Sequence, residues 1–344
     1  MPAKAPPPAA PPGSAPPGTA PRKPPEHPSD GNRPGCTIRR VLIRRLLTLT
    51  LGATALALAG CGLASSHAGT AVTLTVTRDF GTRRVAAVTN AHVTGSQTLL
   101  GLLKHSVPVQ TRGTTVAAID HVSATPASRW FLFVNGSAIG LGTRKRPTLV
   151  HPGDRIWWDL HDDSATTSVP AVVGSFPEPF VGGFAGKRLP VTLECSPEVA
   201  TACDRVAAAL AAVGVPAARQ LLGTGSGTDT LGVVVGTWRD VEGEIAALLI
   251  GHGPATGGVY ARFGGPGGRT LALLDPVGRV VRRLGAGAGL VAATGNSNTA
   301  PSWFVTGTDA AGVAAAASAL TSSRLADHLA VAVQGGRDLP VPRP

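Results

Sequence analysis

The sequence predicts an α+β protein. Two observations carry that expectation. Between residues 71 and 163, short segments of alternating apolar and β-branched polar residues surround one leucine-rich helical stretch, and between 187 and 344 continuous apolar runs alternate with alanine-rich helical ones. A third observation sets the rest of the chain apart: the first 60 residues follow neither period. Residues 1–38 are dominated by Pro, Ala and Gly, a composition that buries no core and stays disordered or polyproline-like.

Residues 39–60 have the build of an export signal. Arg39, Arg40, Arg44 and Arg45 precede an apolar stretch from Leu46 to Ala59 that ends in small residues. A spanning helix needs roughly 20 apolar residues, more than this stretch offers. Two readings of the preceding segment stand open: a cytoplasmic disordered tail, or translation that begins near Val41. The ending Leu58-Ala59-Gly60-Cys61 resembles a bacterial lipobox. The resemblance implies cleavage before Cys61, diacylglycerol on that cysteine, and a protein held by its lipid on the extracytoplasmic face of the cell membrane.

After a spacer over residues 61–70, Val72 to Thr77 reads as a strand with one buried face. Ser96 to Lys104 reads as a short helix capped by Ser96, with its leucines on one side. Strands follow at Thr115–Ile119, Trp130–Val134 and Arg155–Leu160, with a hairpin turn at Asn135-Gly136 and another turn at His151 to Asp154. One helix against a few strands is a β-grasp-like arrangement. Residues 164–186, rich in Pro, Gly and Ser, form a linker. Its Phe176, Phe180 and Phe184 are too large and apolar for a purely solvated tether, so partial burial against a domain surface is expected.

Residues 187–344 read as a mixed α/β domain. Leu189–Leu193, Leu231–Gly236, Arg279–Leu284 and Ser302–Gly307 are expected strands, and Val259–Phe263 with Arg269–Leu274 a hairpin. Pro197–Val213, Arg239–Ile250 and Asp309–Leu320 are expected helices, the first stopped by Gly214.

The order TLLGLLKH, AAIDHV, RWFLFVNGSAIGLG and HPGDRIWWDLHD over residues 71–163 resembles the domain of unknown function 4430, related to the C-terminal domain of transcobalamin and intrinsic factor and found in lipoproteins of high-GC Gram-positive bacteria. Its recurring marks fall here on Trp130, Phe131, Phe133, Asn135 and Gly136, and on Gly153, Asp154, Ile156 and Trp158. The family carries Gly after the Ile-Asp pair, where this chain has His121. The resemblance implies a β-grasp fold and a role beside a corrinoid, which the transcobalamin relatives cover with this domain while a helical domain, absent here, holds the other side. Trp157 and Trp158 point to opposite faces of their strand, so one of them is expected to stay exposed and free to stack on a planar ligand. The candidate ligand-binding residues are therefore Trp130, Phe131, Asn135, Gly136, Trp157 and Trp158.

Charge narrows the partners. Of 31 Lys+Arg and 20 Asp+Glu, residues 1–60 hold eight and two, which leaves +5 of the formal +11 for everything after them. A dispersed +5 makes no phosphate-binding stripe, and no nucleic-acid partner is expected. Of the four cysteines, Cys36 precedes the apparent cleavage site and Cys61 would carry lipid. Cys195 and Cys203, outside the cell, read as a disulfide worth about 2–3 kcal/mol. Two cysteines with no nearby histidine do not make a zinc site.

Other candidates have plain structural readings. Gly223 to Thr228 looks like a phosphate-cradling loop but precedes a strand and lacks the Gly-Lys-Ser/Thr ending; Gly285 to Gly289 likewise reads as a flexible turn. His161, Asp162 and Asp163 offer three metal-ligand types at a strand end, but alternation lets only two converge, and a solvated loop is favoured. Ser226 and Ser302 have no triad context, and Thr306 to Asp309 reads as a helix cap. No enzyme constellation, metal or resident cofactor is expected. The sequence leads to a membrane-anchored extracytoplasmic lipoprotein that binds a small, corrinoid-like ligand or assists an uptake transporter. The alternative is a non-catalytic envelope interaction module without a small-molecule ligand.

Overall fold

The computed structural model describes residues 71–343 apart from His92, Thr94, 141–147, Thr228, Ser297 and Asn298. The Pro/Ala-rich segment, the expected export signal, Cys61 and the spacer lie outside the described residues. The described residues fall in one compact unit, a mixed α/β structure with far more strand than helix. Among the described residues no helix is long and apolar enough to cross a membrane.

Over residues 71–163 the strands are β1 (Val72–Arg78), β2 (Arg83–Ala91), β3 (Val109–Arg112), β4 (Thr115–Ile119), β5 (Val122–Ser123), β6 (Ser128–Val134), β7 (Ser137–Ala138) and β8 (Arg155–Asp162), with helix α1 at Leu99–Ser106. One sheet has the order β2-β1-β8-β6-β7, and β3-β4-β5 form a second, smaller one. In the larger sheet β1 and β8 run parallel and every other pair antiparallel. The helix cap is Thr98, two residues beyond the expected Ser96: its hydroxyl accepts the Gly101 N–H at 3.0 Å. Leu99, Leu102 and Leu103 of α1 close over Val72, Leu74 and Val76 of β1, Leu132 of β6, and Ile156 and Trp158 of β8.

Asn135 (φ 52°) and Gly136 (φ 74°) make the expected hairpin turn. His121 has φ 65° and Asp120 φ 45°, between the paired residues Ile119 and Val122. The turn therefore has the left-handed backbone that glycine accepts most readily, held by two non-glycine residues.

The following region adds β9 (Val191–Cys195), α2 (Ala200–Ala212), β10 (Ala217–Leu221), β11 (Leu231–Thr237), α3 (Trp238–Val241), α4 (Ile245–Gly251), α5 (Pro254–Gly257), β12 (Ala261–Gly264), β13 (Thr270–Leu274), β14 (Val280–Leu284), β15 (Gly289–Thr294), β16 (Ser302–Gly307), α6 (Ala310–Ser318), α7 (Ser322–Leu325), β17 (Ala330–Gln334) and β18 (Arg337–Val341). Its main sheet has the order β10-β9-β11-β16-β15-β17-β18, parallel through the first four strands and antiparallel beyond. The helix expected over Arg239–Ile250 is two, broken at Glu242–Glu244, where Gly243 weakens helix propagation. Helices α2 and α6 bury one face of the sheet through Val206, Leu210, Val313 and Ala316. The disulfide between Cys195 at the end of β9 and Cys203 on α2, Cα atoms 6.1 Å apart, ties that helix to its strand.

The connecting segment is more deeply embedded than the expected partial burial. Phe176 and Phe180 are each 2% exposed and pack on Trp303 of β16, with centroids 6.1 and 5.0 Å from it. Phe184 alone stays half-buried. The opposite face of the main sheet, through Val234, Leu290 and Phe304, joins one continuous core with Phe131, Phe133 and Trp157 of the first sheet and Phe80 of its β1–β2 turn. That shared core fixes where a ligand can and cannot reach.

Candidate functional site

Strand β8 alternates as the sequence predicts, but both of its tryptophans are covered. Trp158 (1% exposed) faces α1, and Trp157 (3%) faces the shared core. The expectation that one would remain exposed fails because the sheet is packed on both sides. The Trp157 indole donates to the Thr77 hydroxyl at 2.7 Å, and its ring lies 5.3 Å from Phe133.

The same face carries a polar network among aromatic rings. The Thr77 hydroxyl donates to Asp159 Oδ1, the Gly81 N–H donates to the same oxygen at 3.0 Å, and Asp159 Oδ2 lies 2.6 Å from His161 Nδ1. The His161 ring is stacked between Phe131, with centroids 3.8 Å apart, and Phe80, at 4.3 Å. Both ionisable side chains are wholly buried. The solvated loop expected at His161 is not found: β8 continues through it, and the two-residue alternation places it beside Asp159. Asp162 instead turns to the Ser164 N–H at 2.8 Å, and Asp163 pairs with Arg129. Among the described residues no group of three or more His, Cys, Asp or Glu is placed to hold a metal ion.

Asn135 and Gly136 act as a joint. The Asn135 amide donates to Asp154 Oδ1 at 3.0 Å and accepts the Arg155 N–H at 2.9 Å, pinning the hairpin to the turn before β8. The Gly136 carbonyl accepts from Val172 N–H at 2.8 Å, and a Cβ on Gly136 would stand 2.9 Å from the Val172 carbonyl oxygen. Neither residue presents a free polar group to solvent.

A cleft of about 950 Å³ runs past the outer end of β6. Trp130, Phe131 and Trp158 belong to its lining; Asn135, Gly136 and Trp157 do not. Strand β7 pairs only with Phe133 and Val134, so beyond that point the β6 edge itself borders the cleft. The facing wall comes from Thr167, Ser168 and Pro170 of the connecting segment and from Asn296, Thr299 and Pro301. Among the described lining residues only Arg129 and Asp163 are charged, and they form an ion pair with each other. The half-buried Trp130 ring, hydroxyls and an amide make a surface suited to a neutral or weakly polar organic molecule held by stacking and hydrogen bonds. The connecting segment's share of that wall has no motif in the sequence that could have announced it.

The glycine-rich loops have structural employment. The Gly225 N–H donates to Oε2 of Glu194 at 3.2 Å. Burial above all pushes the Glu194 carboxyl up, Gly225 and Gly223 N–H groups oppose it, and Glu244 adds to it. A loop whose amides already serve a carboxylate is the reverse of a phosphate cradle. Gly285 to Gly289 interlocks with Thr306 to Asp309: Asp309 accepts from the Gly312 N–H, capping α6, and from the Gly287 N–H, both at 2.8 Å. Thr308 accepts from Ala288 N–H and donates to the Gly285 carbonyl. Comparison with family models, with curated proteins and with solved structures finds no match to this chain.

Proposed function

We propose that this chain is a membrane-anchored extracytoplasmic lipoprotein that holds a small organic ligand, corrinoid-like in the first instance, in the cleft at the end of β6, or hands it to an uptake transporter. The observation that carries the reading is that the half-buried Trp130, one of the six residues singled out by the sequence, lines the cleft, with the buried Phe131 and Trp158 also in its wall. The strand order β2-β1-β8-β6, with parallel β1 and β8 and one helix on a face, supports the β-grasp reading and with it the likeness to the domain of unknown function 4430. The lipobox-like ending at Cys61 supports the anchor.

The ligand would lie against the strand edge rather than on the sheet face, because the shared core occupies that face. Calorimetric titration of residues 62–344 with cobalamin and with cobinamide tests this. Heat is expected with at least one of them and should be lost in Trp130→Ala; no heat with either removes the corrinoid version. The second reading, a docking module for an envelope complex, is favoured by the exposed Leu221, Ile245 and Leu248 on and near α4. Binding of no small molecule at the cleft, with self-association or partner capture lost in Ile245→Asp, would favour it.

A further inference from the structure

The sheet β12-β13-β14 ends in a strand whose composition fits neither a core nor an ordinary solvated edge. Four of the five residues of β14, Val280, Val281, Arg282 and Arg283, are exposed, and only Leu284 is buried. With Val277 in the preceding turn, three valines stand 41%, 37% and 48% exposed within five positions. Among the described residues no strand pairs with the far side of β14. Arg283 and Arg262 flank Ala272 in one cross-strand rung, so they lie on the same outer face, about 10 Å apart at the usual strand spacing. Arg279 is neutralised by Asp275 at 3.0 Å. Arg262, Arg269, Arg282 and Arg283 are exposed and make no ion pair among the described residues.

We infer that this basic, valine-bearing face and edge is a contact surface for an anionic lipid membrane. Guanidinium groups bind phosphate oxygens in a forked geometry. Valines interleaved with them have no use for a soluble polyanion but can enter the headgroup layer. A single-stranded nucleic acid would be expected to find aromatic platforms, and the exposed residues of this face include none. Charges alone would suffice to guard a free edge against pairing; the three exposed valines work against that purpose and need another explanation. The inference takes its setting from the proposed anchor at Cys61, because an acyl anchor combined with a basic patch holds a protein to a membrane more securely than either does alone.

The compact unit Leu63–Pro344 lacks the proposed anchor and so tests the patch by itself. Its co-sedimentation with phosphatidylglycerol-containing vesicles should exceed that with pure phosphatidylcholine vesicles and fall as salt rises. Arg282→Gln with Arg283→Gln should weaken binding about tenfold or more at an unchanged melting temperature, and Val281→Ser should weaken it several-fold. If the double variant unfolds, Arg262→Gln on the neighbouring strand serves in its place. Equal sedimentation with both vesicle types, undiminished binding by the variants, or equally tight binding to soluble polyphosphate would overturn the inference. Arginine variants that bind as well as the parent but aggregate would assign the arginines to edge protection instead. Palmitate-analogue labelling of the full chain reports on the anchor separately, so the two ideas fail by different results.

Discussion

The two faces of the first sheet are buried by different means. One closes over α1 with an apolar set: Val72, Leu74, Val76, Leu132, Ile156 and Trp158. The other packs against the main sheet and carries Thr77, Asp159 and His161 among the rings of Phe80, Phe131, Phe133 and Trp157. Non-directional burial suffices where a sheet is covered by its own neighbouring helix. Where segments distant in sequence meet, hydrogen bonds in a low-dielectric setting fix a single arrangement, and they are costly to leave half-made. For ligand binding the lesson is that neither face is open, which leaves the edge of β6.

The largest expected effect breaks the polar face. Asp159→Ala strands the Thr77 hydroxyl, the Gly81 N–H and His161 Nδ1 without their acceptor, and should cost about 3–5 kcal/mol in urea unfolding. A loss under 1 kcal/mol would mean that the network contributes no more than ordinary packing. On the same face, Trp157→Phe keeps most of the ring but removes the N–H donated to Thr77, and about 1–2 kcal/mol is expected. On the apolar face, Thr98→Ala removes the α1 cap and should cost about 1 kcal/mol. Hydrogen exchange then sharpens the comparison: the Thr98 variant should loosen α1 alone, whereas the Asp159 variant should loosen β8 together with β12.

A pH experiment probes the segment that links the first sheet to the main sheet. Glu178 is buried there, its Oε2 accepting from the Gly182 N–H. Burial pushes its carboxyl up, the Gly182 N–H and Arg155 oppose the rise, and Asp154 adds to it. A raised folded-state value favours the protonated form, so that contribution to stability is complete below the ordinary glutamate value of about 4.3 and is lost as pH rises through the folded-state value. Glu178→Gln should therefore be more stable than the parent at pH 7, with the advantage vanishing as pH falls below about 4. An advantage that persists at low pH would place its origin elsewhere.

What could be read from the sequence follows from how each segment is buried. Strands β1, β6, β8, β11 and β16 have buried faces, and their apolar patterns are visible. Strands β2 and β10 lie at sheet edges with largely exposed patterns, so no period marks them. Strand β15 is central yet was hidden by small residues: helix α6 approaches so closely that a Cβ on Gly289 would stand 2.1 Å from the Gly312 carbonyl oxygen. A run beginning in glycine therefore reads as a turn although it is core. At the cleft, Trp130 and Phe131 were legible as aromatics in a strand. The burial of both Trp157 and Trp158 was not, because α1 covers Trp158 while Trp157 joins a core whose main-sheet members, such as Val234, lie more than 70 residues away in sequence.

The smallest expected effect lies at the turn where the proposed likeness would place glycine and this chain has His121. His121 sits at φ 65° in a two-residue turn between β4 and β5, a conformation that costs a side-chain-bearing residue roughly 1–2 kcal/mol and glycine nothing. Glycine returns part of that gain through the greater freedom of its unfolded chain. His121→Gly should therefore stabilise the protein by about 0.5 kcal/mol, leaving the cores on both sides of the sheet unchanged. Destabilisation would mean that the imidazole makes a contact worth more than the backbone strain it imposes, and that the departure from glycine serves a purpose of its own.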